Sequence, residues 1–495
     1  MQISLRIFFV FWLITFCVSR EVLADPRTPQ EAFDRLEQQV RSFRLNNGLR
    51  VFMYRRGIAP VFSGVVSVRV GGVDEQRGQT GISHMFEHMA FKGTKEIGTR
   101  DFAREKVLLD ELEALKQKEA NRKELTTQES GRQQEILGML QGLWDQSAYS
   151  KMYEKRGAVG LNASTSSELT NFFVSLPRTQ FEFWCWMESE RLLEPIMRQF
   201  YKERDVVLEE LLMRVDNNPN GRLYQDLFGT AFFSHPYRNP VIGYKDDVSR
   251  LTASMADNFR RKYYVPSNMA IGLVGDVDPE RDIEIVRKYF ERLPARPAPQ
   301  RPSFIEEAQN GERQVIVRKD ASPLLYIGYH KQQYPHPDGA ALDVLLSVLA
   351  DGRTSWLDKQ LVQKQQVATS VGAFSGPGEM FPDLAVFYLE PKIGHSTLEV
   401  KKAYDHVIER FLQVGPSEKE VEKVKRRTTR SFLDQLDSNL SLARDFTSSA
   451  LIFDDWRASL QYYDQLVKVN RNDVHRVARQ YLTNDNRTVA RLEKP

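Results

Sequence analysis

The chain has 495 residues, 27% of them charged and 41% hydrophobic, and carries a formal charge of +3. That length supports two or three domains with a large core, in the balance of an ordinary globular protein. So small a net charge gives no basis for nucleic-acid binding or for attachment to an anionic membrane, and two cysteines exclude a disulfide framework.

The N-terminus reads as a targeting signal. Arg6 precedes an apolar run from Ile7 to Val18, and "VLA" precedes "DP", which puts cleavage after Ala24 and export to the periplasm or medium. The run is too short to span a bilayer as a helix, so no stable membrane span is expected in the mature chain. Cleavage would remove Cys17 and leave Cys185 alone in "FEFWCWMESERLL", the setting of a buried, inert thiol.

Next, "FRLNNGLRVFMYRR" predicts two strands about an Asn-Gly turn, and "VFSGVVSVRVGGVDE" a β-rich run. "TGISHMFEHMAFKGT" predicts a short helix capped by Thr80 or Ser83 and closed by Gly93. Residues 102–147 are strongly charged, with Leu108, Leu112 and Leu115, then Ile136, Leu140 and Leu143, at helical spacing. They predict an antiparallel helical hairpin with its tip near Thr126–Gly131. "GLNASTSSELTNFFVSLP" reads as a strand, and "FYKERDVVLEELLMRVDNN" as a long helix with Val206, Val207, Leu211 and Leu212 as its apolar stripe. "MAIGLVGDVDP" is another strand, with a helix after it. The Pro-rich "PARPAPQRPSF" is a linker. Beyond it, strands at "QVIVRKD", "PLLYIGYHKQ" and "GAFSGPGEMFPDLAVFYLEP" and helices at "GAALDVLLSVLADG" and "SEKEVEKVKRRTTRSFLDQLDSN" repeat the order of the first part. The expectation is α+β, two halves of similar topology.

The chemistry lies in His84, Glu87 and His88, spelling H-x-x-E-H. Residues at i and i+4 share a helix face, so both imidazoles can reach one Zn²⁺, with Glu87 on the flank able to take a proton from water. A catalytic zinc needs a third protein ligand, and the later Glu-rich helix offers Glu203, Glu209 and Glu210. Glu203 and Glu210 lie two turns apart on one face. One could ligate while the other orients a histidine ring. His235 in "SHPYRNP" suits a structural loop, and His330, His336, His395, His406 and His475 have no metal-like spacing.

"GISHMFEHMAFKGT" followed by "ERDVVLEE" resembles the insulinase/pitrilysin-type inverzincin peptidases, the group that includes the mitochondrial processing peptidases. "GLNASTSSELTNFF" and "HPYRNPVIGY" resemble that family's intervening segments. The resemblance implies one Zn²⁺ per chain held by His84, His88 and Glu210, with Glu87 as general base and Glu203 supporting a ligand. It implies that the strand at Asn162 and Ala163 pairs with peptide substrates as an added strand. It also implies two homologous domains, each a mostly antiparallel sheet backed by helices. The expected organisation is a signal peptide at 1–24, a zinc-bearing domain at 38–293 with the 102–147 hairpin inserted, a linker at 294–312 and a domain without zinc at 313–495.

One departure stands out. Active members close four such domains around the substrate, and the half facing the zinc carries Arg and Tyr seven residues apart. Here "QLVQKQQVATS" puts Val362 and Thr369 in those places. Neither can stabilise an oxyanion as guanidinium or phenol would. The resemblance therefore implies a hetero-oligomer with a related chain that supplies the Arg/Tyr pair. Two other readings are a non-catalytic scaffold subunit that kept the fold, and a purely structural zinc with a fourth protein ligand.

Overall fold

The computed structural model describes residues 29–121, 124–301 and 303–495; the expected signal sequence lies outside them. Among the described residues, no helix is long and apolar enough to cross a membrane.

Two sheets organise the chain. The first runs β1-β2-β6-β3-β5-β4, built from Arg41–Arg44 (β1), Arg50–Arg55 (β2), Val61–Val68 (β3), Val159–Thr165 (β4), Thr170–Pro177 (β5) and Met269–Gly275 (β6). The second runs β7-β11-β8-β10-β9, from Arg313–Arg318 (β7), Leu324–Lys331 (β8), Ala368–Gly376 (β9), Asp383–Pro391 (β10) and Arg487–Glu493 (β11). Without β1, the two orders coincide strand for strand. Each sheet is antiparallel except for one parallel pair, β2/β6 in the first and β7/β11 in the second. The fold is thus α+β with two mostly antiparallel sheets backed by helices.

The central strands β3 and β6 are buried almost throughout, because helices cover both faces of the sheet, and their sequences run apolar instead of alternating. Two stretches that read as single strands are hairpins. "GLNASTSSELTNFFVSLP" folds back at Ser166–Leu169, where the Ser166 amide donates to the Leu169 carbonyl at 2.8 Å. "GAFSGPGEMFPDLAVFYLEP" breaks between β9 and β10, after Gly376. Alternation survives across both turns, which hides them from a period-2 reading.

The helices Ile82–Met89 (α1), Phe102–Ala120 (α2) and Thr127–Leu143 (α3) follow β3. α2 and α3 form the hairpin, with a small core of Leu108, Leu112, Leu115, Ile136, Leu140 and Trp144. Its tip falls earlier than expected, because Thr126 caps α3 through a reciprocal box with Glu129. At its root Arg198, 1% exposed, donates to both oxygens of Glu105, 0% exposed, at 2.6 and 2.8 Å. It also donates to the carbonyls of Lys92, Thr94 and Ile97, which tie the hairpin to the loop after α1.

Helices Phe200–Leu211 (α4), Pro219–Ala231 (α5) and Ala253–Tyr263 (α6) follow. In the second half come Gly339–Ala350 (α7), Glu418–Leu436 (α8), Asn439–Phe453 (α9) and Arg471–Tyr481 (α10). The halves exchange a helix. α5 leaves the first half to lie on β7, β8 and β11, burying Leu223, Leu227 and Phe228 against Leu324, Val386 and Leu492. α9 crosses the other way onto β3 and β6, burying Leu442, Phe446 and Ala450 against Phe52, Val65 and Val274. Beneath α9 the backbones approach closely at Gly272, where a Cβ would stand 2.4 Å from the Ala443 carbonyl oxygen.

Candidate metal centre

α1 begins at Gly81, whose φ of 87° suits glycine. The expected caps do not act. Thr80 donates its hydroxyl to Asp247 at 2.7 Å, and the Ser83 hydroxyl is buried without a partner. Instead the Glu75 carboxyl accepts from the Gly81 and Ser83 amides at 2.8 and 2.9 Å. Burial outweighs those bonds and pushes Glu75 up to about 8.

α4 buries Phe200, Glu203, Val207 and Leu211 on one face. Val206, expected in the apolar stripe, is 45% exposed, because it lies off the face that Glu203, Val207 and Leu211 bury. The expected long helix ends as a π-helical turn, Leu212–Asp216, which starts two residues after Glu210.

These elements bring the expected ligand residues together. The ligand atoms of His84, His88 and Glu210 all lie within 4.8 Å of one another. The two rings are edge-to-face with centroids 4.8 Å apart, and Nε2 of each is 3.7 Å from Glu210 Oε2. Glu203 stands behind His88, its Oε2 3.6 Å from Nδ1, and its other oxygen takes Lys92 Nζ at 2.5 Å. Burial alone would raise the Glu203 carboxyl, but His88 and Lys92 hold it below the usual range. Arg214 fixes the outer oxygen of Glu210 at 2.7 Å.

Burial, reinforced by the His88 and Arg214 charges, lowers His84 to about 3, so its imidazole is neutral with a lone pair free to ligate. Its Nδ1 is buried with no hydrogen-bond partner. Two imidazole nitrogens and a carboxylate, converging without a fourth donor among the described residues, fit a three-ligand Zn²⁺ site with an open position.

Glu87 lies beside this trio and accepts a 2.5 Å hydrogen bond from the Thr165 hydroxyl. Its carboxyl is raised, first by burial, with Thr165 and His88 opposing and Glu210 adding to the rise. Thr165 ends β4, the outermost strand of the first sheet, which also carries Asn162 and Ala163. Along β4, Ala163 packs toward the α1 side, and Asn162 Oδ1 accepts from the Ala163 amide at 2.9 Å.

Three site residues escaped the sequence reading. Lys92 and Arg214 sit four residues after His88 and Glu210, a spacing that could have found them. Thr165 carries no local signal, because only the sheet brings β4 to α1. His235 packs among aromatic rings and accepts from the Tyr237 amide at 3.1 Å. Val362 packs half-buried on the second core, and Thr369 lies exposed near the start of β9. Cys185 is fully buried, which raises its thiol well above the usual range.

Two family models match parts of the chain. Residues 58–107, which hold the H-x-x-E-H string, match the family model "Insulinase (Peptidase family M16)", and residues 250–428 match "Peptidase M16 inactive domain". The chain is 27% identical over 465 residues to the zinc protease PqqE of Helicobacter pylori, covering 91% of this chain and 92% of that one. A crystal structure of a protease from Helicobacter pylori superposes with a TM-score of 0.77 at 27% identity, over 92% of this chain and 99% of that one. The periplasmic protease PqqL of Escherichia coli shares the fold at a TM-score of 0.70 and 18% identity, over 92% of this chain and 48% of that one. Both matching models describe M16, or insulinase, peptidases, and it is that family the chain resembles.

Proposed function

We propose that this protein is a zinc metalloendopeptidase that hydrolyses peptides or unfolded polypeptide segments. The observation that carries the reading is the convergence of His84, His88 and Glu210 beside Glu87 at an exposed sheet edge. Zn²⁺ held by those three residues would act as a Lewis acid on the scissile carbonyl and on water.

The chain's own residues do the rest. Glu87 takes the proton from the attacking water and returns it to the leaving amine. Thr165 holds the Glu87 carboxylate in place from β4. Glu203, itself anchored by Lys92, fixes the ring of His88. An extended peptide adds to β4 beside Asn162 and Ala163, and Asn162 must release the Ala163 amide for that amide to bond outward.

The opposite wall of the site belongs to a second, related chain. Val362 and Thr369 offer neither guanidinium nor phenol to an oxyanion, and the fold superposes on about half of the longer PqqL. The leader at 1–24 directs the protein to the periplasm or outside the cell. A second reading, a scaffold subunit without activity, draws on Val362 and Thr369 alone, and a scaffold has no use for a general base beside three ligands.

Metal analysis and peptide cleavage by the wild type and Glu87→Gln, with and without candidate partner chains, test the proposal. The variant should keep zinc and lose turnover by about 10²–10⁴-fold. Equal cleavage by both proteins would remove Glu87 from its role. Full activity of the purified chain alone would remove the partner.

A further inference from the structure

The edge strand β4 is weakly fixed by its own sheet. Among the described residues only β5 pairs with it, and the register slips between Val159 and Asn162. The second half of the chain holds it near its C-terminal end and at the turn that follows. At Ser164, Arg444 of α9 donates to the hydroxyl at 3.3 Å while lying over the Phe173 ring. At the β4–β5 turn, Ser167 donates to the Pro377 carbonyl at 3.1 Å, and Glu168, 3% exposed, accepts from the Tyr237 hydroxyl and from the Glu379 amide. The same Tyr237 oxygen accepts from the Phe381 amide at 3.2 Å. At Gly378 the packing leaves no room for a side chain, since a Cβ would stand 2.1 Å from Glu168 Oε1 and 2.2 Å from Tyr237 Oη.

Stability alone does not call for this arrangement, because an apolar plug could fill the junction at least as well. A fully connected set of directional bonds instead sets one position for the turn. That turn begins one residue after Thr165, the group that holds Glu87.

We propose that Glu168 and Tyr237, clasped by the β9–β10 loop, are positioning residues for peptide binding: they set β4 relative to Glu87, so that the half without zinc ligands shapes the substrate edge of the half that has them. This rests on the peptidase reading above.

The test uses zinc-loaded full-length protein with whatever partner activity requires. Tyr237→Phe and Gly378→Ala should raise KM for a peptide about fivefold or more, with kcat within about twofold and zinc content unchanged. Glu168→Gln, which keeps an acceptor for the tyrosine, should hold KM near the wild-type value. Hydrogen exchange at residues 162–165 should quicken in Tyr237→Phe, and this readout needs no turnover. If the wild type cleaves nothing, the peptidase reading falls and exchange alone decides the positioning role. Unchanged KM with only a lower Tm, or unchanged exchange at β4, would overturn the proposal.

Discussion

α1 and α7 hold the same place in the two halves. Each follows the strand at the middle of its sheet and packs on the edge strand, β4 or β9. α1 also meets α4 and α6, and α7 meets α8, α10 and the helix Ala458–Lys468. Yet α7, "GAALDVLLSVLA", is apolar and buried almost throughout, while α1 spends the same surface on His84, Glu87 and His88. Where α4 buries Glu203, α8 buries only Val421 and Val424. The fold thus closes without the polar set. In the first half α1 leaves His84 Nδ1 and Ser83 Oγ buried without partners, an arrangement that costs about 1–3 kcal/mol for each such group. Polar groups that weaken a helix which its counterpart builds from alanine and leucine are what the proposed metal chemistry would require.

The comparison can be broken most severely by making the first half resemble the second. His84→Ala or Glu210→Ala should abolish zinc retention and lower cleavage by about 10³-fold or more, while the circular dichroism of the metal-free protein stays unchanged. Next in size, Glu105→Ala would strand the buried Arg198 at the root of the hairpin, a structure without counterpart in the second half. Denaturant unfolding should report a loss of about 3–5 kcal/mol. Gly272→Ala would drive a methyl group into the Ala443 carbonyl where the two halves meet, at about 1–3 kcal/mol by the same measurement.

The smallest effect is a pH dependence. Burial raises Asp74 and Glu168 to about 7, Glu75 to about 8 and Asp445 to about 6. A raised carboxyl favours the folded state most when protonated, so that contribution is lost as pH climbs through these values. Burial lowers His84 to about 3 and His235 to about 4, and their contribution is lost as pH falls below the ordinary histidine value. Tm should therefore rise from pH 8.5 to about 6.5 and then level or fall. Glu168→Gln should flatten the upper limb by about 1 kcal/mol.

Much of this was legible in the sequence, for reasons that differ by residue. His84, Glu87 and His88 declare themselves because a helix period and a ligand spacing coincide in one short string. The repeated order of strands and helices follows from local patterning, and the hairpin's two apolar stripes are equally local. What escaped depends on distance in the chain. Thr165 meets Glu87 only across the β4–α1 contact, and Glu75 caps α1 from outside the helix. Nothing in "PNGRLYQDLFGTA" or "NLSLARDFTSSALIF" says which sheet its apolar face will cover, so the exchange of α5 and α9 left no trace.

That exchange bears on how the molecule could be cut. The Pro-rich stretch at 294–304 looks like a place where two domains might be separated. Each fragment released there would carry the helix that roofs the other's sheet, and each sheet would lose its roof if the pieces drifted apart. A nick in this linker should leave two fragments that travel together through a sizing column and part only in denaturant. Either fragment made alone should be poorly folded, and mixing the two should restore the zinc site without a covalent join.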